Sequence, residues 1–210
     1  MLKSMGKNGL ILALFALGCT ALVVLTHELT KEKVAQQQQQ EKLQTLSALL
    51  PEGSYDNDLV ASCKLVTSRK YLGSDQPQAL YTATKGGVAT GYALETIAPD
   101  GYSGAIRLIV GIDAKGTISA VRVLEHKETP GLGDKIELKK SGWINSFAGK
   151  FLSADNEASW AVTKDGGEFD AFTGATITPR AVVKAVKNLL TLQQKHPEWL
   201  SNAPACPAAQ

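Results

Sequence analysis

Cysteine, histidine and aromatic residues are scarce in this chain. Three cysteines in 210 residues cannot support a disulfide-dense scaffold or a Cys-rich metal centre. His27, His126 and His196 are scattered, with no HExxH pair and no cysteine pair at metal-ligand spacing, so no metal is expected. No GxSxG nucleophile elbow and no phosphate-binding P-loop occur. An excess of one charge sign is missing as well. The formal net charge of +2 is owed to Lys3 and Lys7, because residues 1–27 hold no acid and the remainder carries 20 basic and 20 acidic side chains. A domain with no basic excess is a poor nucleic-acid binder, and no nucleic-acid partner is expected. With 44% hydrophobic residues the chain is too apolar to be disordered and long enough for one ordinary domain with an appendage.

The longest apolar run is GLILALFALGCTALVVLT, residues 9–26, uncharged and preceded by the two lysines. As a helix it spans roughly 27 Å, close to the hydrocarbon thickness of a bilayer. A cleaved signal peptide would have a shorter apolar region followed by a small-x-small site, and Thr-His-Glu-Leu-Thr offers none. Lipoprotein processing at Cys19 would require a cut inside the apolar run. The reading is a single-pass signal anchor with its N-terminus cytoplasmic and the rest of the chain beyond the membrane.

Leu43, Leu46, Leu49 and Leu50 recur at helical spacing, predicting a juxtamembrane helix that ends before Pro51. From about residue 58 the texture changes to short β-like runs, at 61–67, 80–85, 88–97, 106–112 and 118–125, with a hairpin turn at Asp113–Gly116. Residues 141–148 read as a short helix, and 158–163 and 167–172 as short strands. A final helix starts with Thr178 as N-cap and Pro179 at its first position, and buries the stripe Val182, Val183, Val186, Leu189 and Leu190. The fold class is α+β: an anchor over 1–27, a stalk over 28–57, a domain over 58–200 and a tail over 201–210. His126 lies near Glu125 and Glu128, where it reads as a solvated loop residue rather than a general base. Cys63 and Cys206 can pair in an oxidising compartment, or stay as two thiols.

Residues 165–180 read DGGEFDAFTGATITPR. Gly174 and its small neighbours let a ligand approach the backbone. Hydroxyls at Thr173, Thr176 and Thr178 surround a helix N-terminus, whose free N–H groups and positive dipole suit a phosphate. Arg180 can add a charge-assisted contact. The same residues also read as a capped helix after a Thr-rich turn, with no ligand.

The pattern Asp170-x-x-Thr173-Gly174-Ala175-Thr176-x-Thr178 resembles the flavinylation motif of the FMN-binding domain family. Together with Ala98–Ile106, His126–Ile136 and the anchor, it is similar to the RnfG family, the G subunits of the Rnf/Rsx ion-translocating electron transport complexes. The related C subunit of the sodium-translocating NADH:quinone reductase shares the motif. The resemblance implies FMN joined through its phosphate to Thr176 as a phosphoester. It also implies that Asp170 and Thr173 are read by a flavin transferase that uses FAD and magnesium, with Gly174, Ala175 and Thr178 completing the cofactor segment. The loop Glu128-Thr129-Pro130-Gly131-Leu132-Gly133, which alone reads as a tight turn, is implied to lie against the flavin. The implied role is that of an electron carrier in a redox-driven translocase of the bacterial inner membrane, with a periplasmic main domain and no catalytic acid or base. The implied partners are the other membrane and peripheral subunits. The competing roles are an anchored periplasmic flavoprotein reductase and a cofactor-free binding or scaffold module.

Overall fold

The computed structural model describes residues 2–51, 53–198 and 202–207; the end of the expected tail lies outside them. The chain divides into two compact units, the first ending at Gln44 and the second beginning at Thr45. Helix α1 runs from Leu2 to Leu49, so the anchor and the juxtamembrane helix form one element. It is the one helix among the described residues long and apolar enough to cross a membrane. Leu10, Phe15, Leu22 and Leu25 are all exposed. The hydroxyls of Thr26 and Thr30 donate to the carbonyls of Leu22 and Thr26, at 2.9 and 2.7 Å, which satisfies these polar groups within the helix.

The second unit is built on an antiparallel meander: β1 (Lys64–Ser68), β2 (Ser74–Lys85), β3 (Val88–Ala98), β4 (Ile106–Asp113) and β5 (Ile118–Glu125), in that spatial order. A four-residue helix, α2 (Arg69–Leu72), separates β1 from β2. Because successive side chains in a strand point to opposite faces, two rows cross the sheet side by side. Leu80, Leu94, Val110 and Val121 face one side; Tyr81, Ala93, Gly111 and Ala120 face the other. The first row joins the main core with helix α3 (Ile177–Lys195), whose stripe Val182, Val183, Val186, Leu189 and Leu190 is fully buried as expected.

Beyond Tyr81 the second row is made of small residues, and Leu46, Leu49, Leu50 and Leu59 share the cluster on that face. A Cβ added at Gly111 would stand 2.6 Å from the Leu49 carbonyl oxygen, so only glycine allows this approach. The Ser119 hydroxyl donates to that same carbonyl. The Asp113–Gly116 turn forms as expected, with the Asp113 carboxylate accepting from the amides of Lys115 and Thr117, both at 2.8 Å.

Two expectations are corrected and a third is borne out. β1 starts at Lys64, not Ala61, because Asp58 caps a preceding turn through the amides of Val60 and Ala61. Residues 141–148 hold the expected short helix, Gly142–Phe147, in 3-10 form with Ser141 and Ala148 as its caps. The expected strands at 158–163 and 167–172 are replaced by 3-10 turns at Glu157–Ser159 and Thr163–Asp165, with a single parallel bridge between Val162 and Phe169. Their aromatic residues serve packing instead of a ladder: Phe147 stacks on Phe169 at 4.6 Å, with Trp160 beside both. Cys63 and Cys206 are joined as a disulfide with a Cα–Cα distance of 5.4 Å.

Candidate functional site

The segment leading to Thr176 is held by aromatic side chains. Trp143 packs edge-on against Phe172 at 5.1 Å, and its indole N–H donates to the Asp170 carbonyl at 2.9 Å. Phe172-Thr173-Gly174-Ala175 then makes a tight turn, closed by the Ala175 amide on the Phe172 carbonyl at 3.2 Å. Gly174 sits there at φ +82°, a conformation that a side chain disfavours. Thr173 and Gly174 are exposed, as is Asp170, while Ala175 and Thr176 are half-buried.

Helix α3 begins two residues earlier than expected. Ile177 is its first residue and Thr176 takes the N-cap position, with helical backbone angles (φ −77°, ψ −27°) and no side-chain cap bond. Pro179 therefore lies third, still within the turn where no amide hydrogen is needed. Thr178 is not the cap. Its side chain is 1% exposed and its hydroxyl donates to Glu128 Oε2 at 2.5 Å. A buried carboxylate is a strong acceptor, and it draws the hydroxyl inward, away from the helix end.

Glu128 is 4% exposed. Its other oxygen, Oε1, accepts from the Ser103 amide at 3.0 Å. Gly133 fits against this pair: a Cβ there would lie 2.9 Å from both Glu128 Oε2 and Thr178 Oγ1. The Thr129 carbonyl accepts from the amides of Leu132 and Gly133, at 3.2 and 3.1 Å, and Gly131 takes φ +77° to let the chain turn. Exposed Leu132 reaches 3.5 Å from where a Gly174 Cβ would be. The two glycine loops are thus neighbours. The 99–105 loop joins them through Ser103, and an ion pair between Asp100 and Lys184 at 2.5 Å ties it to α3.

His126 is not a solvated loop residue. Its Nδ1 accepts from the Glu128 amide at 3.0 Å, which leaves Nε2 to donate to Glu137 at 2.6 Å. It orders the start of the glycine loop. Arg180 is engaged by Asp165 through two bonds, at 2.6 and 2.7 Å. Those bonds and the guanidinium charge hold the Asp165 carboxyl below the ordinary carboxylate range and raise the arginine in turn.

The cation that does reach the candidate threonine is one that sequence reading misses. Lys164 Nζ donates to Thr176 Oγ1 at 2.8 Å. Nothing in the spacing announces this, because Lys164 lies twelve residues upstream, beyond a turn. Ser103 and Trp143 escape for the same reason. The residues present fit a phosphate ester on Thr176. The hydroxyl is not used as a cap and an ammonium stands beside it. The Arg180 amide donates to the Thr176 carbonyl, so the amides of Ile177 and Thr178 precede the helical ladder.

Two family models match the chain: an FMN-binding domain over residues 101–191 and an RnfG N-terminal region over residues 1–49. The chain is 53% identical to a protein of Vibrio vulnificus (strain YJ016), over 97% of its own length and 96% of the relative's. It is 54% identical to one of Shewanella baltica (strain OS223), over 90% and 89%. A third, from Aliivibrio fischeri (strain MJ11), is 50% identical over 97% of both chains. Each of these relatives is described as the G subunit of an ion-translocating oxidoreductase complex.

Proposed function

The chain belongs to the RnfG family, the G subunits of ion-translocating oxidoreductase complexes, and from that premise we propose that it is an electron carrier holding FMN through a phosphoester on Thr176. The observation that carries this reading is the Thr176 hydroxyl, which stands at the head of α3 with no capping bond and with Lys164 2.8 Å away. Bound FMN would supply reversible electron transfer. The protein's part is to hold and orient. Trp143 and Phe172 fix the approach to Thr176, and Gly174 makes the turn. Glu128, Thr178 and Ser103 lock the surrounding loops, while Thr129, Gly131, Leu132 and Gly133 shape the adjoining surface. Asp170 and Thr173, exposed on the same segment, are available for a flavin transferase to read.

The N-terminal lysines and the uncharged run of α1 support insertion in the inner membrane with the tip cytoplasmic and the flavin domain periplasmic. The Cys63–Cys206 disulfide fits that oxidising side. The exposed faces of the two glycine loops are where neighbouring membrane and peripheral subunits would receive or deliver electrons. The test is to express the full-length chain with a flavin transferase and measure intact mass and flavin fluorescence after denaturation. One FMN phosphoryl adduct is expected, lost in Thr176→Ala and kept in the control Thr191→Ala, whose hydroxyl bonds within α3. An adduct that survives Thr176→Ala overturns the attachment, and normal electron flux through a Thr176→Ala complex overturns the carrier role.

A further inference from the structure

We propose that Lys164 is the ammonium that prepares the Thr176 hydroxyl for attachment and then holds the charge of the resulting phosphodiester. The inference rests on the reading of Thr176 as the attachment residue and adds a second residue, from a different segment, to that chemistry.

The turn that bears Lys164 is held at both ends. The Thr163 amide donates to the Phe169 carbonyl at 2.7 Å, and the Gly166 and Gly167 amides close back on Thr163 and Val162, both at 3.1 Å. A Cβ at Gly167 would stand 2.0 Å from the Ala161 carbonyl oxygen, so the returning chain lies directly on the outgoing one. From this turn two adjacent side chains reach the head of α3. Asp165 grips Arg180 with two bonds, in the first turn of the helix, and Lys164 reaches Thr176 at the cap. Asp165 thereby satisfies the arginine, the side chain whose position in the first turn would otherwise favour a phosphate contact. The cation that faces the threonine oxygen is the lysine.

The direction of the hydrogen bond gives the contact its chemical meaning. An ammonium only donates, so Thr176 Oγ1 is the acceptor, and its own hydrogen must point elsewhere. The hydroxyl is therefore presented with its proton turned away from Lys164 and open to removal by a base of the transferase. In the transfer, the Oγ1–phosphorus bond forms on the FMN phosphoryl of a flavin adenine dinucleotide donor and the pyrophosphate P–O bond breaks. AMP leaves with that electron pair, the hydroxyl proton passes to the transferase base, and no redox change occurs. The product carries a single negative charge beside Lys164 and the open amides of α3, an arrangement of one cation and one helix N-terminus that matches one anion.

The experiment uses the full-length chain co-expressed with a flavin transferase, with the modified fraction followed by intact mass against time of induction. Lys164→Met should slow modification by about tenfold to a hundredfold, and Lys164→Glu by more, as expected when one charge-assisted hydrogen bond to a developing anion is removed. Lys164→Arg should restore most of the rate, because it returns a cation without restoring the lysine's shape. Modification of Lys164→Met and Lys164→Glu at the wild-type rate overturns the proposal. So does a Lys164→Arg variant that is as slow as Lys164→Met, since that points to packing instead of charge. Thr176→Ala, run alongside, separates the two levels: an adduct on that variant defeats the attachment reading itself, whatever the lysine variants do.

Discussion

Thr178 donates its hydroxyl to Glu128 across 2.5 Å although the two residues are fifty positions apart. Through that bond, and through Ser103 on the other carboxylate oxygen, the head of α3, the 128–133 loop and the 99–105 loop meet on one buried acid. The geometry around Thr176 is fixed by this junction, which none of the hydroxyls in the motif reveals by spacing.

Thr178→Val keeps the shape and removes the donor. It should destabilise the folded domain by about 1–3 kcal/mol, the penalty for a buried carboxylate that loses a partner. The midpoint of thermal unfolding in detergent measures it. A midpoint equal to wild type would mean that the bond contributes nothing net.

Gly133→Ala should be comparably damaging, by about 1–3 kcal/mol, because the added methyl would sit 2.9 Å from both oxygens of that bond. Gly142→Ala is the matching control. Apart from the adjoining backbone, nothing lies within 4 Å of its added methyl, and the backbone there is not left-handed. A change of no more than about 0.5 kcal/mol is expected for it. Parallel thermal unfolding of the two variants decides the matter.

The parts of the fold that are legible in the sequence follow from local pattern. The strands at 88–97, 106–112 and 118–125 have β-like texture between turn residues, the α3 stripe repeats by 3.6, and Asp113–Gly116 has turn chemistry, so each lies nearly where its pattern places it. The parts that mislead depend on distant partners. Thr178 looks like a cap until Glu128 is placed beside it. The aromatic run around Trp160 and Phe169 looks like strands until it is seen packing on Phe147. The candidate site is legible as a motif at 170–178, whereas its cation, Lys164, is not, because no local periodicity connects it to Thr176.

Alkali should weaken the domain through Tyr81. Its phenol is pushed up to about 12 from 10.0, by burial first and then by the charge of Glu95. The folded chain keeps a proton that the unfolded chain releases from 10.0 upward, so the contribution is fully present below 10.0 and is lost as pH rises through about 12. The loss amounts to about 2–3 kcal/mol at most. Tyr81→Phe should flatten the alkaline limb of a plot of unfolding midpoint against pH, and an unchanged limb would assign it elsewhere.

Acid should act on the turn that carries Lys164. Asp165 is lowered from 3.8 by its bonds to Arg180, so the stabilisation it gives is present above 3.8 and disappears as pH falls through the lower folded value. Arg180→Gln should remove this component. Comparison of unfolding midpoints at falling pH tests it, with the variant showing a smaller acid-dependent loss than wild type.

Reduction should weaken the domain. The Cys63–Cys206 bond closes a loop across a sequence separation of 143. Constraint of a loop that long stabilises by about 2–5 kcal/mol. Thiol labelling of the denatured, unreduced protein should reveal Cys19 alone, and dithiothreitol should lower the unfolding midpoint. Three reactive thiols before reduction would mean that the bond does not form.

The same disulfide sits beside a short stretch of pairing. The Leu65 amide donates to the Pro204 carbonyl at 2.8 Å and the Cys206 amide to the Cys63 carbonyl at 3.0 Å, flanking the bridge between Lys64 and Ala205. β1 is the outer strand of the meander, so residues 204–206 shield an edge that would otherwise offer bare amides and carbonyls to any extended peptide. That shield is delivered long after the strand it protects, because synthesis must traverse the separation of 143 before the second cysteine emerges. During biogenesis the nascent sheet therefore passes through a period with an open flank.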